Sequence, residues 1–240
     1  MMRPAYLSFL LLLMLHAGMQ AQNYINIGSG LTDTRIGAWN KSIEAYNFAR
    51  PWLDKELPTM GLSSNYHAGF TAILARALFI SPDVSYHRTV AQAINEDFKT
   101  SLRVHRFSGG INFDIFPMEF GLDTVSFIIR PFVRLGGGGS AFLPRVKFND
   151  AIATVNDEAY KPIVWTYQFN FGLGCRFSLS SWFDVMPVIQ LGYFPNVELK
   201  NFAQALHGTA VPALENKAGI LRPEASIYLC FRMRKQKSDM

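Results

Sequence analysis

Apolar and polar residues alternate along much of the chain, most cleanly from Ile163 to Phe177. The odd positions from Trp165 to Phe177 are aromatic or apolar, and the even positions between them are polar or small. A repeat of two indicates a β-strand with one apolar and one polar face. The alternation lasts 13 residues, whereas ordinary strands run about 5–6 residues and a tilted membrane strand needs about 9–11. The length therefore favours a strand that crosses a membrane.

Seven other segments repeat the pattern less regularly, and the weakest lies near the N-terminus around Ile25 and Ile27. Together they predict eight strands, near 23–31, 63–75, 77–88, 99–116, 125–138, 163–177, 182–194 and 220–233. Eight is the smallest common strand number of bacterial outer-membrane barrels, and an even number places both chain ends on one side.

The links between the strands differ in length in a way that is typical of such barrels, which have long external loops and short periplasmic turns. The links 31–63, 138–163 and 194–220 are long, 88–99 is intermediate, and 75–77 and 177–182 are short. The link 116–125 departs from this rule because it is longer than a tight turn.

Two of the long loops have helical spacing. The stronger case is Ala38–Leu57, in which Pro51 is expected to break or kink the helix; its spaced aromatic and apolar residues are Trp39, Ile43, Tyr46 and Trp52. The weaker case is Val197–Leu206.

The first 21 residues read as a secretory signal peptide. Arg3 provides the positive start, Tyr6–Leu15 the apolar stretch, and Gly18 and Ala21 small residues before a cut near Ala21. The alternative is an uncleaved anchor helix, but the apolar stretch is shorter than the roughly 20 residues of a membrane span. The predicted organisation is a signal peptide over 1–21, a barrel over 22–233 and a basic tail over 234–240.

Composition narrows the classes further. The mean hydropathy of +0.09 is too low for a bundle of membrane helices, and 17% charged residues with 49% hydrophobic residues argue against disorder. An exported soluble β-sandwich would alternate in the same way. The barrel is favoured by the strand length, by the uncharged apolar faces, and by aromatic residues at both strand ends: Trp165, Tyr167, Tyr193 and Tyr86 toward the long loops, and Phe116, Phe177, Trp182 and Phe183 toward the short turns. The predicted fold is an all-β, eight-stranded antiparallel up-and-down transmembrane barrel with short helices in its extracellular loops.

The polar strand faces would then line the interior of the barrel. Eight charged residues are the candidates for ion pairs there: Arg130, Arg134, Arg176, Arg232, Asp83, Asp114, Asp184 and Glu224. An eight-stranded barrel is just wide enough for side chains to fill. We therefore expect a plugged interior held by ion pairs; a small conducting pore is the alternative.

Little in the sequence points to catalysis. It contains no nucleophile-elbow, zinc-protease, paired C-x-x-C or phosphate-loop motif, and the glycine run Gly136–Gly139 is predicted to ease a strand end or a bend. His87 lies near Ser85 and Asp83 in sequence, so a lipid-modifying enzyme with such a group is a further alternative, although no spacing selects it. The two cysteines, Cys175 and Cys230, are predicted on opposite faces of non-adjacent strands, where a disulfide would be poor. We expect no enzyme, no cofactor, no metal and, because the chain is exported, no nucleic acid despite a pI of 9.2.

The chain resembles the PorT-like outer-membrane β-barrel proteins, a group of small barrels with the eight-stranded OmpA-like architecture. The resemblance covers the whole mature chain and rests on a signal peptide ending near Ala21 and on eight strands that close with the segment Ile227–Phe231. It implies an outer-membrane barrel, with a role in protein secretion for some members and no catalytic residue. Barrel assembly recognises an aromatic residue that ends the last strand; Phe231 fits, but nine residues follow it, which departs from the pattern.

These observations predict an outer-membrane protein with both termini in the periplasm and a structural or interaction role, such as an accessory role in secretion or envelope maintenance. Its expected partners are outer-membrane lipid and a protein bound through the loops 32–62, 139–162 and 195–219, since loops on a rigid scaffold tend to carry function. Trp39, Tyr46 and Trp52 are the candidate contacts; the alternative for them is that they pack the loop helix onto the barrel rim.

Overall fold

One closed sheet of eight long antiparallel strands forms most of the protein. The computed structural model describes residues 23–121, 127–198, 201–208 and 217–233. The strands are β1 (Asn23–Asp33), β2 (Leu62–Ala75), β3 (Leu78–Asn95), β4 (Phe98–Ile115), β5 (Ile128–Phe148), β6 (Val164–Ser178), β7 (Phe183–Glu198) and β8 (Lys217–Arg232). Each pairs with the next, and β8 pairs with β1 from Tyr24↔Arg232 to Thr32↔Glu224. This closed up-and-down barrel confirms the predicted fold class, and closure leaves no free sheet edge.

All three turns at one end of the barrel lie beside the two chain ends, and we call this the short-turn end. The opposite, long-loop end carries two helices, α1 (Gly37–Phe48) and α2 (Phe202–His207). Four two-residue strands complete the elements: Phe120–Gly121 at the short-turn end, and Ala151–Ile152, Thr154–Val155 and Glu158–Ala159 in the link after β5. The predicted helix over Ala38–Leu57 is present but ends at Phe48, because Pro51 disfavours helical backbone in the residue before it. The weaker helix begins at Phe202, since Val197 belongs to β7.

The sequence-based strand ends near 88 and 138 are wrong. β3 continues to Asn95 and turns directly into β4 at Phe98, so the link 88–99 is a hairpin. β5 continues to Phe148, so the first ten residues of the predicted loop 139–162 are strand. The reason is that the polarity of the two faces inverts near the long-loop end. There Ala91 and Ala93 point inward and are buried, while Arg88 on the other face is exposed.

The glycine run Gly136–Gly139 lies in the middle of β5 and does not ease a strand end. Gly138 is paired with Gly110 on β4. A Cβ on Gly138 would lie 2.5 Å from the Cα of Gly110 and nearer still to the carbonyl oxygen of Gly109. The run therefore allows close contact between β4 and β5.

The outward face of the barrel is apolar and exposed between its two ends. Along β6, Trp165 is 73% exposed and Leu173 is 57% exposed, and on β7 Ile189 is 70% exposed. Trp182 is also exposed, at the short-turn end, but Phe116 is buried and so does not belong to that aromatic ring. The predicted signal peptide, the tail 234–240 and the start of the predicted strand at 125–126 lie outside the described residues.

Candidate functional site: a barrel interior in three layers

The barrel interior consists of an apolar layer at each end and a polar layer between them. At the long-loop end, α1 and α2 pack into the barrel mouth around Trp39, Ile43, Phe202 and Leu206. At the short-turn end, the buried cluster includes Tyr24, Phe79, Phe116, Phe132, Met186 and Tyr228. Both apolar layers lie across the interior, so the polar layer is enclosed from above and below.

Two buried ion pairs lie in the lower half of the polar layer. Arg134 donates from Nε and Nη2 to the two carboxylate oxygens of Asp114, at 2.7 and 2.9 Å. Arg176 donates from Nε to Asp184 at 2.7 Å, and its guanidinium lies 3.8 Å from the centre of the Tyr24 ring. All four charged side chains are at most 2% exposed. Buried charges are tolerated only when they are paired and hydrogen-bonded, and these pairs meet that condition.

The upper half of the polar layer is centred on His67 of β2. Its Nδ1 lies 3.0 Å from Asp83, and its Nε2 lies 3.1 Å from Glu224. A carboxylate beside each ring nitrogen stabilises the imidazolium form, in which both nitrogens donate. Gln190 donates to Glu224 at 2.8 Å, and Arg106 lies 4.0 Å from the same carboxylate. The cluster therefore links strands β2, β3, β4, β7 and β8 across the interior.

A cavity of about 20 Å³ lies in this cluster, with His67, Asp83, Arg106 and Glu224 in its wall. That space suits about one water molecule. One oxygen of Asp83 and the Nε of Arg106 have no hydrogen-bond partner among the described residues. The cavity has the polar lining that a single bridging water requires, and it is far too small for a hydrated ion to pass.

The predicted ion-pair residues divide into three groups. Arg134, Asp114, Arg176 and Asp184 form two pairs, and Asp83 and Glu224 flank His67. The remaining two lie at the short-turn end: Arg130 pairs with Glu119 at 2.9 Å, and Arg232 donates to the Tyr24 hydroxyl at 3.1 Å.

Sequence reasoning missed three buried polar residues of this interior: His67 as the centre of the upper cluster, and Arg106 and Arg222. Arg222 donates to the backbone oxygen of Asp33 and to Thr32 near the mouth. The position parity of their strands was a usable signal, because Arg106 shares a face with Asn112 and Arg222 shares a face with Glu224.

The histidine and serine residues do not form the group suggested for an enzyme. His87 lies 3.3 Å from Thr89, and its Nδ1 has no partner within the described ranges. Asp83 contacts His67 instead. Ser226 lies 3.3 Å from His67 Nε2, but it donates its own hydroxyl to Glu224 at 3.1 Å. That hydroxyl is therefore held by a carboxylate inside an enclosed layer, and a general base does not accept its proton.

The aromatic residues of the first long loop have different environments. Trp39 and Tyr46 are fully buried, with Trp39 stacked on Phe202 and the Tyr46 hydroxyl 2.6 Å from Thr100. Both therefore pack the helix onto the barrel, which was the alternative to partner contact. Trp52 is 49% exposed, and Phe48, which sequence reasoning missed, is 90% exposed.

Cys175 and Cys230 are both free thiols, one half-buried and the other buried, on strands separated by β7. Across the ranges that the structure describes, no group of three or more histidine, cysteine or acidic residues has the arrangement of a metal site. No helix in those ranges has the length and apolarity needed to cross a membrane.

Comparison with known proteins finds similar structures only at low identity. They include Ail, the attachment invasion locus protein of Yersinia pestis, in complex with the heparin analogue sucrose octasulfate (8% identity, TM-score 0.40, 90% of this chain and 100% of that one). They also include the N-terminal β-barrel domain of Pseudomonas aeruginosa OprF (13%, 0.37, 89% and 100%) and Neisserial surface protein A (9%, 0.39, 88% and 97%). No protein-family model and no curated protein matches the chain. The PorT-like resemblance therefore stays a prediction.

Proposed function

We propose that the protein is an outer-membrane β-barrel with a filled interior, and that its role is structural or based on interactions at its long-loop end. The observation that carries this proposal is the continuous belt of exposed apolar side chains around a closed sheet. Such a belt is costly in water, at about 25 cal/mol for each Å² of apolar surface, and it is stable in lipid.

The dimensions of the belt support a bilayer. On β6 the outward residues run from Trp165 to Phe177. Twelve steps of about 3.4 Å, on a strand tilted by about 40°, span about 30 Å along the barrel axis. This matches an apolar band of about 25 Å with an aromatic girdle at each interface.

The filled interior supports a role other than conduction. In the proposed membrane orientation, the ion pairs and the two apolar layers lie where a pore would run. A planar bilayer that contains the purified mature chain should therefore show no conductance steps. Regular steps that depend on protein concentration would contradict the filled interior.

The long-loop end offers a surface for a partner. Phe48 and Trp52 are exposed there on a loop that is otherwise well packed: Asn40 and Asn47 of α1 each make two hydrogen bonds to the returning backbone, at Met60 and Leu57. A rigid loop with exposed aromatic residues suits protein recognition, because little conformational entropy is lost on binding. An accessory role in secretion or envelope maintenance, as in PorT-like proteins, is consistent with this surface.

Photo-crosslinking in intact cells tests the interaction role. A crosslinking residue at Phe48 should capture a discrete partner, and one at the buried Tyr46 should not. The variant Phe48→Ala/Trp52→Ala should lose the partner without leaving the membrane fraction, whereas Lys41→Gln on the same helix should retain it. A normal partner yield from the double variant would remove this surface from the proposal.

A further inference from the structure

The outer wall of β3, β4 and β5 carries a cluster of basic residues near the long-loop end. Arg88 is paired with His105 across β3 and β4, and Arg103 is paired with Arg145 across β4 and β5. Arg88 and Arg145 are exposed, and Arg103 and His105 are half-buried. All four positions belong to the outward face.

This cluster has no acidic partner among the described residues. None of the ion pairs between those residues involves Arg88, Arg103 or Arg145. The Nε of Arg103 also lacks a hydrogen-bond partner in the same part of the chain. Like charges that face each other directly across strands are destabilising. An external anion would relieve the repulsion between Arg103 and Arg145.

An aromatic row lies directly below the cluster. Tyr66, Tyr86, Phe107 and Ala141 occupy matched register positions on β2 to β5, and Ala141 is matched to Trp165 on β6. The Tyr86 hydroxyl lies 2.8 Å from His105 Nδ1. Two residues along a strand correspond to about 7 Å, so the arginines begin about 7 Å beyond this row. Aromatic rows mark the level of lipid headgroups.

An apolar recess of about 480 Å³ opens on the outer face at and below the aromatic row. Its floor is formed by small residues, which include Ala68, Gly109 and Gly139. Large side chains surround them, among them Tyr66, Val84, Phe107 and Trp165. The recess therefore continues from the basic cluster into the apolar belt.

We propose that this wall binds one anionic lipid of the membrane leaflet at the long-loop end, with its phosphate on Arg88, Arg103 and Arg145 and an acyl chain in the recess. Guanidinium groups bind phosphate through paired, charge-assisted hydrogen bonds. A soluble anion would use the arginines alone, whereas a lipid also uses the recess directly below them. The site rests on the proposed membrane location, because it needs the belt to lie in lipid.

The test uses the mature full-length protein and lipid A that carries both phosphates. Lipid retention is measured by native mass spectrometry during lipid titration in detergent. Arg103→Gln/Arg145→Gln should weaken retention by about tenfold or more, since hydrogen bonds to charged groups are worth about 1.5–3 kcal/mol. Arg76→Gln/Lys41→Gln, which removes two exposed charges elsewhere, should leave retention unchanged.

The recess is tested separately with Gly139→Leu. A side chain at Gly139 enters open space, with the nearest atom 3.9 Å from its Cβ. This variant should weaken binding of lipid A but not of inorganic phosphate. If heparin or inorganic phosphate bound wild type as well as lipid A and Gly139→Leu had no effect, the site would bind anions generally and the lipid proposal would be wrong.

Vesicle flotation distinguishes this failure from failure of the proposed function. A wild-type protein that does not float with vesicles contradicts the membrane location, and the lipid site fails with it. If wild type and the arginine variant both float and retain lipid A equally, the membrane location stands and only the lipid site is refuted.

Discussion

At the scale of single residues, the buried pair Arg176–Asp184 shows how the interior tolerates charge. Removal of one partner leaves the other buried without compensation. Asp184→Ala should therefore lower the free energy of unfolding by about 3–5 kcal/mol. Arg176→Met/Asp184→Leu should restore most of that loss, because both charges are then removed. Denaturant unfolding of the refolded barrel in lipid vesicles measures both changes.

The pair Arg130–Glu119 is the matched control, because its side chains are 20% and 33% exposed. Glu119→Gln should cost at most about 1 kcal/mol. Equal losses for Asp184→Ala and Glu119→Gln would show that the Arg176 charge is hydrated and not buried.

Residue parity predicted which charged groups point inward, but it did not predict every partner. Arg134 and Asp114 are matched across β4 and β5, so their contact follows from register. Arg130 contacts Glu119, which lies in the irregular link after β4, where parity carries no information. His67 joins Asp83 and Glu224 from two other strands, a relation that appears only when the barrel closes.

At the scale of elements, the β4–β5 contact depends on glycine at one position and not at its neighbour. Gly138→Ala should destabilise the barrel by about 3 kcal/mol or more, because its Cβ overlaps the β4 backbone. Gly139→Ala should change stability by less than about 1 kcal/mol, because its Cβ has open space. Equal effects of the two alanines in denaturant unfolding would contradict the register of these strands.

The α1 cap depends on Trp39. Trp39→Ala removes a fully buried ring stacked 5.0 Å from Phe202 and should cost about 3–5 kcal/mol of the free energy that docks the cap. The loop 34–61 should then be cleaved faster by protease in intact vesicles, while the strands stay protected. Trp52→Ala, at a half-exposed ring, should leave the cleavage rate nearly unchanged; equal rates for both variants would argue against a packed cap.

His207 makes docking of α2 sensitive to acid. Burial and the nearby positive charge of Arg50 lower the pKa of His207 below its usual value of 6.5, despite its contact with the backbone oxygen of Ser42. Because the undocked histidine binds a proton more readily, docking is stable above about pH 6.5 and weakens as the pH falls below that value. Hydrogen exchange of residues 202–207 should accelerate at pH 5 in wild type and much less in His207→Gln. The same acceleration in both would assign the effect to another group.

The elements were predictable where one face was apolar and the other polar along the whole strand. That condition holds for β6, whose bounds were predicted within one residue at each end. It fails above residue 88 of β3, where the interior becomes apolar and the outer face carries arginines. The alternation persists there with inverted polarity, so a pattern based on apolar outward positions stops too early.

At the scale of the whole molecule, the closed barrel places its polar side chains inside and its exposed apolar side chains outside. Both features depend on one register around the barrel, since a shift by one residue would reverse every side chain of a strand. Strand number and closure followed from the sequence pattern. The filling of the mouth by α1 and α2 did not, because it depends on long-range packing.

Fluorescence quenching by brominated lipids tests this account most directly. A variant with its native tryptophans replaced by phenylalanine receives one tryptophan at Leu173, in the middle of the outward face of β6. Bromines deep in the acyl chains should quench it strongly, while a variant that keeps only Trp39 should be quenched weakly. A folded protein that remains in solution without detergent, with no quenching at 173, would contradict the account.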